Sequence, residues 1–169
     1  MWQKIVERFN DMPLRLKVAK ALICHGFHIE APGVIKCRDV RIPLKAIGDA
    51  LDVDRRTVRA TTEDVCNDEN IFKFFSLIRP AGASLEKVAK LLGYGVVTIY
   101  VESPEDPGIL SQVTSTISGH GVPIRQVLAE DAAICEEACL KVVTEVPLNG
   151  AAIEVLTSMP GVNRVIIER

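Results

Sequence analysis

Apolar residues recur at helical spacing through the first half of this chain and crowd together at strand-like density in the second. Trp2, Ile5, Val6 and Phe9 fall on one side of a short helix over Trp2 to Phe9. Leu14, Val18, Ala21 and Leu22 mark a second helix that starts near Pro13 and ends at His25-Gly26. A third begins at Pro43 and runs to about Leu51 with Leu44, Ile47, Ala50 and Leu51 inward. Asp54 caps a fourth through Arg55, Arg56, Thr57, Val58 and Arg59. Residues 27–41 are mixed: Pro32-Gly33 is a turn, and VIKCRDVRI fits a short exposed strand or an irregular connection equally well. Ile71 to Ile78 (IFKFFSLI) predicts a strand that pairs with that segment. The pattern leaves open whether 27–42 and 71–78 form a wing.

After Arg79-Pro80-Ala81-Gly82, Ser84 caps a short helix carrying Leu85, Val88, Ala89 and Leu92 and closed by Gly93. Its single apolar stripe suits a spacer, a dimer contact or core packing. The remaining residues predict strand 96–102, helix 108–118, strand 122–130, strand 137–146, helix 149–158 and strand 161–168, punctuated by Gly119, Gly121, Pro147, Asn149, Pro160 and Gly161. That βαββαβ order is the ferredoxin-like arrangement, an antiparallel sheet with both helices on one face. The expected fold class is therefore α+β: a helical domain over 1–82, a linker helix over 83–95 and a ferredoxin-like domain over 96–169. The open face or an edge of the sheet requires cover, which predicts pairing with a second copy.

Composition adds an asymmetry. Of the 169 residues, 48% are hydrophobic and 25% charged, the range of ordinary globular proteins. The net charge of −2 conceals sixteen Lys/Arg against twelve Asp/Glu in residues 1–95, and four against ten in 96–169. The amino-terminal part is thus the one suited to a polyanion, although its excess of four is modest. No apolar run reaches the length of a membrane span, and Met1-Trp2-Gln3-Lys4 leads into a charged helix rather than a secretory segment. A cytoplasmic protein without membrane partners is expected. Cys24, Cys37, Cys66, Cys135 and Cys139, odd in number and without framework spacing, read as free thiols.

Within Leu44 to Arg59 (LKAIGDALDVDRRTVR), the apolar spacing is that of a helix-turn-helix, with Ile47 and Leu51 on the first helix, Val53 in the turn and Val58 on the second. Such a pair presents Arg55, Arg56, Thr57 and Arg59, with Lys45, to phosphates and base edges of double-stranded DNA. The segment resembles the bacterial and archaeal helix-turn-helix pattern with two departures: Gly48 replaces the usual alanine, and Asp52 the usual turn glycine. Asp tolerates the left-handed conformation that turn needs. Asp52 and Asp54 place negative charge near an incoming phosphate, which opposes tight binding.

A second candidate is the strand-turn-helix VVTIYVE-SPEDPGIL. Pro104 and Pro107 stop the ladder, Asp106 supplies a capping oxygen, and Gly108 admits close approach at a helix start suited to a carboxylate or phosphate. An ordinary capped strand-to-helix turn is the alternative. Neither Cys24, His25, His28 and Cys37 nor Cys135 and Cys139 have zinc-ligand spacing, so no metal or cofactor is expected. His120 lies between two glycines without a spacing that singles out a catalytic partner, and Gly93-Tyr94-Gly95 precedes a strand where a phosphate-cradling loop follows one. An enzyme is not expected.

Residues 96–169 resemble the ACT domain, a small-molecule sensing module of amino-acid metabolism, through the βαββαβ order, the turn Asp106-Pro107-Gly108-Ile109-Leu110 and the second strand Gly121-Val122-Pro123-Ile124. With the helix-turn-helix in front, the chain resembles archaeal predicted regulators of amino-acid metabolism that contain an ACT domain. The resemblance implies an amino acid held between two subunits. One copy would contribute Asp106, Pro107, Gly108, Ile109 and Leu110, and the other Val122, Pro123, Ile124, Arg125 and Gln126. Pro123 stands where many ligand-binding members have asparagine, a loss that Arg125 or Gln126 would have to make good. The expectation is a homodimeric, amino-acid-responsive DNA-binding transcriptional regulator. Its rivals are a regulatory subunit that relays amino-acid feedback to a metabolic enzyme, and a dimerisation module that binds no ligand.

Overall fold

The computed structural model describes residues 1–135 and 137–168, so Glu136 and Arg169 of the expected sensor lie outside it. The chain divides into one unit spanning Met1–Gly82 and another beginning at Ala83. The fold is mixed, with helices and two antiparallel sheets.

In the first unit, α1 (Trp2–Arg8) and α2 (Pro13–Cys24) form where the apolar spacing places them. The mixed segment resolves as three short strands, β1 (His28–Ala31), β2 (Val34–Cys37) and β3 (Val40–Ile42), paired antiparallel in that order. Gly33 and Arg38, both with positive φ, turn the chain between them. Their alternation is plain in the register: Ile29, Ile35 and Ile42 stand in one row, and His28, Lys36 and Arg41 in the next.

Helices α3 (Leu44–Leu51) and α4 (Arg55–Cys66) follow, with extended Pro43 preceding α3 as its cap rather than serving as its first residue. The expected strand over 71–78 is instead a helix, α5 (Glu69–Leu77). A short apolar run has no decisive period of its own, and here the cap decides. Asp68 accepts hydrogen bonds from the Asn70 and Ile71 amides, both at 3.0 Å, and Ile71 and Phe75, one turn apart, are buried. No pairing of 71–78 with the sheet is left to make a wing; α5 lies against β1. Phe9 and Phe75 are fully buried, each contributing roughly 2–3 kcal/mol of hydrophobic stabilisation.

The second unit opens with a 3-10 helix, Glu86–Leu92, followed by β4 (Gly95–Val101), α6 (Ile109–Gly119), β5 (Ile124–Ala129), β6 (Cys139–Thr144), α7 (Gly150–Thr157) and β7 (Val162–Glu168). The sheet order is β5-β6-β4-β7 with every neighbour antiparallel, the split βαβ arrangement. On one face Val97, Ile99, Leu140 and Val142 pack with Val113 and Ile117 of α6 and Leu156 of α7. Alternation sends Val96 and Val143 to the other face, where Ala89 of the 3-10 helix buries them. Of the three roles open to this apolar stripe, core packing within the second unit is the one Ala89 takes. No helix among the described residues is long and apolar enough to cross a membrane.

Candidate functional site

The turn between α3 and α4 is built by three adjoining residues. Asp52 adopts the left-handed conformation, φ 52° and ψ 51°, and the Val53 amide donates to the Gly48 carbonyl at 2.9 Å. A Cβ on Gly48 would sit 2.7 Å from the Val53 carbonyl oxygen, so the chain packs this turn more tightly than alanine permits. Asp54 then caps α4, its Oδ1 accepting from the Arg56 amide at 2.7 Å. Lys17 Nζ donates to the Leu51 carbonyl at 2.6 Å and so satisfies the end of α3.

Helix α4 buries Val58, Thr61, Thr62 and Val65 and leaves Arg55, Arg56 and Arg59 exposed. Asp64 ties it to the first two helices through Arg15 and through Arg8 at 3.6 Å. Arg55 and Arg56 have no ion-pair partner among the described residues, whereas Arg59 Nε donates to Glu63 Oε1 at 3.0 Å. Thr57 is half-buried and its carbonyl accepts from Thr61, while Lys45 is exposed on α3. The Gly33 amide donates to Thr62 Oγ1 at 2.7 Å, and that hydroxyl donates to the Arg59 carbonyl at 2.6 Å, so the first hairpin is clipped to α4. Sequence reasoning missed Arg38 and Arg41, exposed cations on the turn and strand that lead into α3. Their signal was the alternation of VIKCRDVRI.

The turn before α6 differs from its expected form in one respect. The helix is capped by Gly108, at φ 101°, and no side chain bonds its first amides. Asp106 is therefore not the cap: Pro107 and Gly108 intervene, and the Asp106 amide instead donates to the Ser103 carbonyl at 3.0 Å. Asp106, Gly108, Ile109 and Leu110 line a cavity of about 110 Å³ with Glu130, Cys139 and Leu140. Pro107 is exposed beside it. Glu130, absent from the sequence-based site, adds a carboxylate: it receives hydrogen bonds from the Cys139 amide and thiol, both at 3.3 Å. Burial and that carboxylate push the Cys139 thiol up to about 11, so it stays protonated.

Residues 122–126 do not line this cavity within one copy. Val122 is in the core, Pro123 is exposed and Ile124 half-buried. Arg125 Nη1 donates to Glu145 Oε2 at 3.3 Å and lies 5.3 Å above the Tyr94 ring. Gln126 Oε1 accepts from the Leu85 amide and its Nε2 donates to the Ala83 carbonyl, both at 2.8 Å. Neither polar side chain that was to replace asparagine is free, because each already serves its own chain.

Cys24, Cys37, Cys66 and Cys139 are free thiols, and no group of three or more potential metal ligands occurs among the described residues. His120 Nδ1 meets the Thr116 carbonyl at 2.8 Å, an ordinary helix-end bond. Buried His28 has an Nδ1 without a hydrogen-bond partner, and burial first, then Arg79 and Lys36, holds its pKa below the usual histidine value.

No family model matches the chain, and no curated protein does. Among solved structures it is similar to a transcriptional regulatory protein of Pyrococcus furiosus, a member of the AsnC family, at 15% identity, covering 78% of this chain and 80% of that one, with a TM-score of 0.31.

Proposed function

We propose that this chain is a homodimeric DNA-binding regulator whose second unit senses an amino acid. The observation that carries the DNA reading is the first turn of α4: Arg55 and Arg56 stand exposed, without an ion-pair partner among the described residues, on a helix whose entry is fixed by Gly48, Asp52 and Asp54. Unpaired guanidiniums on a preset helix suit phosphates and base edges, and Lys45, Thr57, Arg38 and Arg41 extend the same chemistry. Arg59 contributes less, since Glu63 neutralises it.

The sensing reading rests on the start of α6, whose glycine cap supplies no side chain to its first amides, beside two carboxylates. Its free amides suit a carboxylate, while Glu130 and Asp106 suit an ammonium, and together these are the two ends of an amino acid. In this reading residues 122–126 of a second copy complete the pocket, within the ACT-like dimer. Edge strands β5 and β7 and exposed Ile166 are the surfaces such pairing would cover.

Selection from a pool of genomic fragments tests the proposal. The full chain should retain specific DNA, and Arg56→Ala should reduce retention without lowering the melting temperature. A pool from which nothing is retained, together with co-purification of a metabolic enzyme, would favour the regulatory-subunit reading. Thermal-shift screening of the twenty amino acids separates a sensor from a pure dimerisation module.

A further inference from the structure

We propose that Gln126 is a latch for the linker: its amide clips residues 83–85 to the start of β5, and whatever takes that amide frees the strap 83–94 from the sheet. The fit is that of one peptide to another. A side-chain amide has one carbonyl and one NH₂, and here the carbonyl takes the Leu85 amide while the NH₂ gives to the Ala83 carbonyl, each at 2.8 Å. Residues 83–85 belong to no strand and precede the 3-10 helix, whose cap is Leu85. Without Gln126 this stretch would keep two hydrogen bonds among the described residues, both directed into the 3-10 helix and not to the sheet: Ser84 Oγ accepts from the Glu86 amide at 3.2 Å, and the Leu85 carbonyl accepts from the Val88 amide at 3.2 Å.

Beyond the latch, the strap is held by little. Seven residues of 3-10 helix have poor intrinsic stability. Only Ala89 is fully buried there, with Leu85 and Tyr94 half-buried against Val96 and Val143. Leu91 is 86% exposed and Leu92 52%. Glu86 Oε2 meets Lys141 Nζ at 3.1 Å in the middle, and Arg125 covers Tyr94 at the end. Two adjacent residues of β5 thus hold both ends of the strap.

The trigger rests on the sensing reading above, which assigns 122–126 to the ligand of a second copy. An amino acid that engages the Gln126 amide competes with Ala83 and Leu85 for the same two groups. Latching and sensing by this side chain exclude each other, which turns occupancy of the seam into release of the linker. The half-buried amide passes between the two states at the cost of hydrogen bonds that the ligand replaces.

Amide hydrogen exchange on the full chain tests both parts. In Gln126→Ala the amides of 85–92 should exchange roughly tenfold faster, the effect of losing two hydrogen bonds, while β4 and β6 keep their protection. Unchanged exchange in 85–92, or loosening of the whole sheet, would overturn the latch; Gln126→Leu, which keeps the side-chain volume, repeats the test should alanine unfold the unit. Each of the twenty amino acids is then added in turn. One that raises the melting temperature should accelerate 85–92 in the wild type to the Gln126→Ala level and add nothing in the variant. A stabilising amino acid that leaves 85–92 protected would overturn the trigger. If none stabilises the chain, the sensing reading fails and the trigger with it, and the variant arm alone still decides the latch.

Discussion

Gly48 and the Val53 carbonyl approach so closely that any side chain at Gly48 would meet that oxygen at 2.7 Å. This contact, with left-handed Asp52, fixes how α3 hands over to α4. Gly48→Ala should therefore destabilise the first unit by about 1–3 kcal/mol, the range of overpacking, even though alanine is the better helix former. Chemical denaturation followed by circular dichroism checks this, and a neutral or stabilising result would contradict the geometry.

Asp54 has two opposed roles, as the cap of α4 and as a negative charge beside Arg55 and Arg56. Removing the cap with Asp54→Ala should cost about 1 kcal/mol. Asp54→Asn keeps an oxygen for the Arg56 amide and removes the charge. It should therefore leave stability nearly unchanged while tightening DNA binding.

At the ligand turn, Gly108 has φ 101°, a conformation that side chains rarely adopt. Gly108→Ala should cost about 1–2 kcal/mol and reduce the thermal shift produced by any bound amino acid more than it reduces the melting temperature itself. Equal stabilisation of wild type and variant would separate the ligand from this turn.

Acid should weaken the first unit through His28. Its folded pKa lies below its ordinary value of 6.5 because burial, Arg79 and Lys36 disfavour the charged ring. The unfolded chain thus takes up a proton first, so the stability from neutral His28 is fully present above about pH 6.5 and is lost as pH falls from there through the folded value. A second loss follows at lower pH, where Glu30 beside Lys36 and Glu86 beside Lys141, both held below the ordinary value of 4.5 in the fold, become protonated. Denaturation midpoints measured at stepped pH should show the first loss in the wild type and not in His28→Gln.

The sequence carried most of this architecture where a period or a cap was unambiguous. Val96 to Val101 alternates between two buried faces of β4, and Ile47, Leu51, Val53 and Val58 keep the spacing of a two-helix turn. IFKFFSLI misled because eight residues suit either period, and only the Asp68 cap, one residue before the helix, tips it. The cap role given to Asp106 failed for a related reason: Pro107-Gly108 delays the helix start, and spacing along the chain does not reveal where φ turns positive. The Gln126 clip was illegible because its partners lie some forty residues away, and Glu130 because its place beside Asp106 and Gly108 depends on strand pairing, which no local pattern encodes.

The salt dependence of DNA affinity tests the central claim most directly. For an operator recovered from the genomic pool, log K for the full chain should fall steeply with log salt, and Arg55→Ala and Arg56→Ala should each weaken binding and lower the slope by about one. Slopes that are shallow, or identical in wild type and both variants, would contradict a DNA-reading role for the first turn of α4.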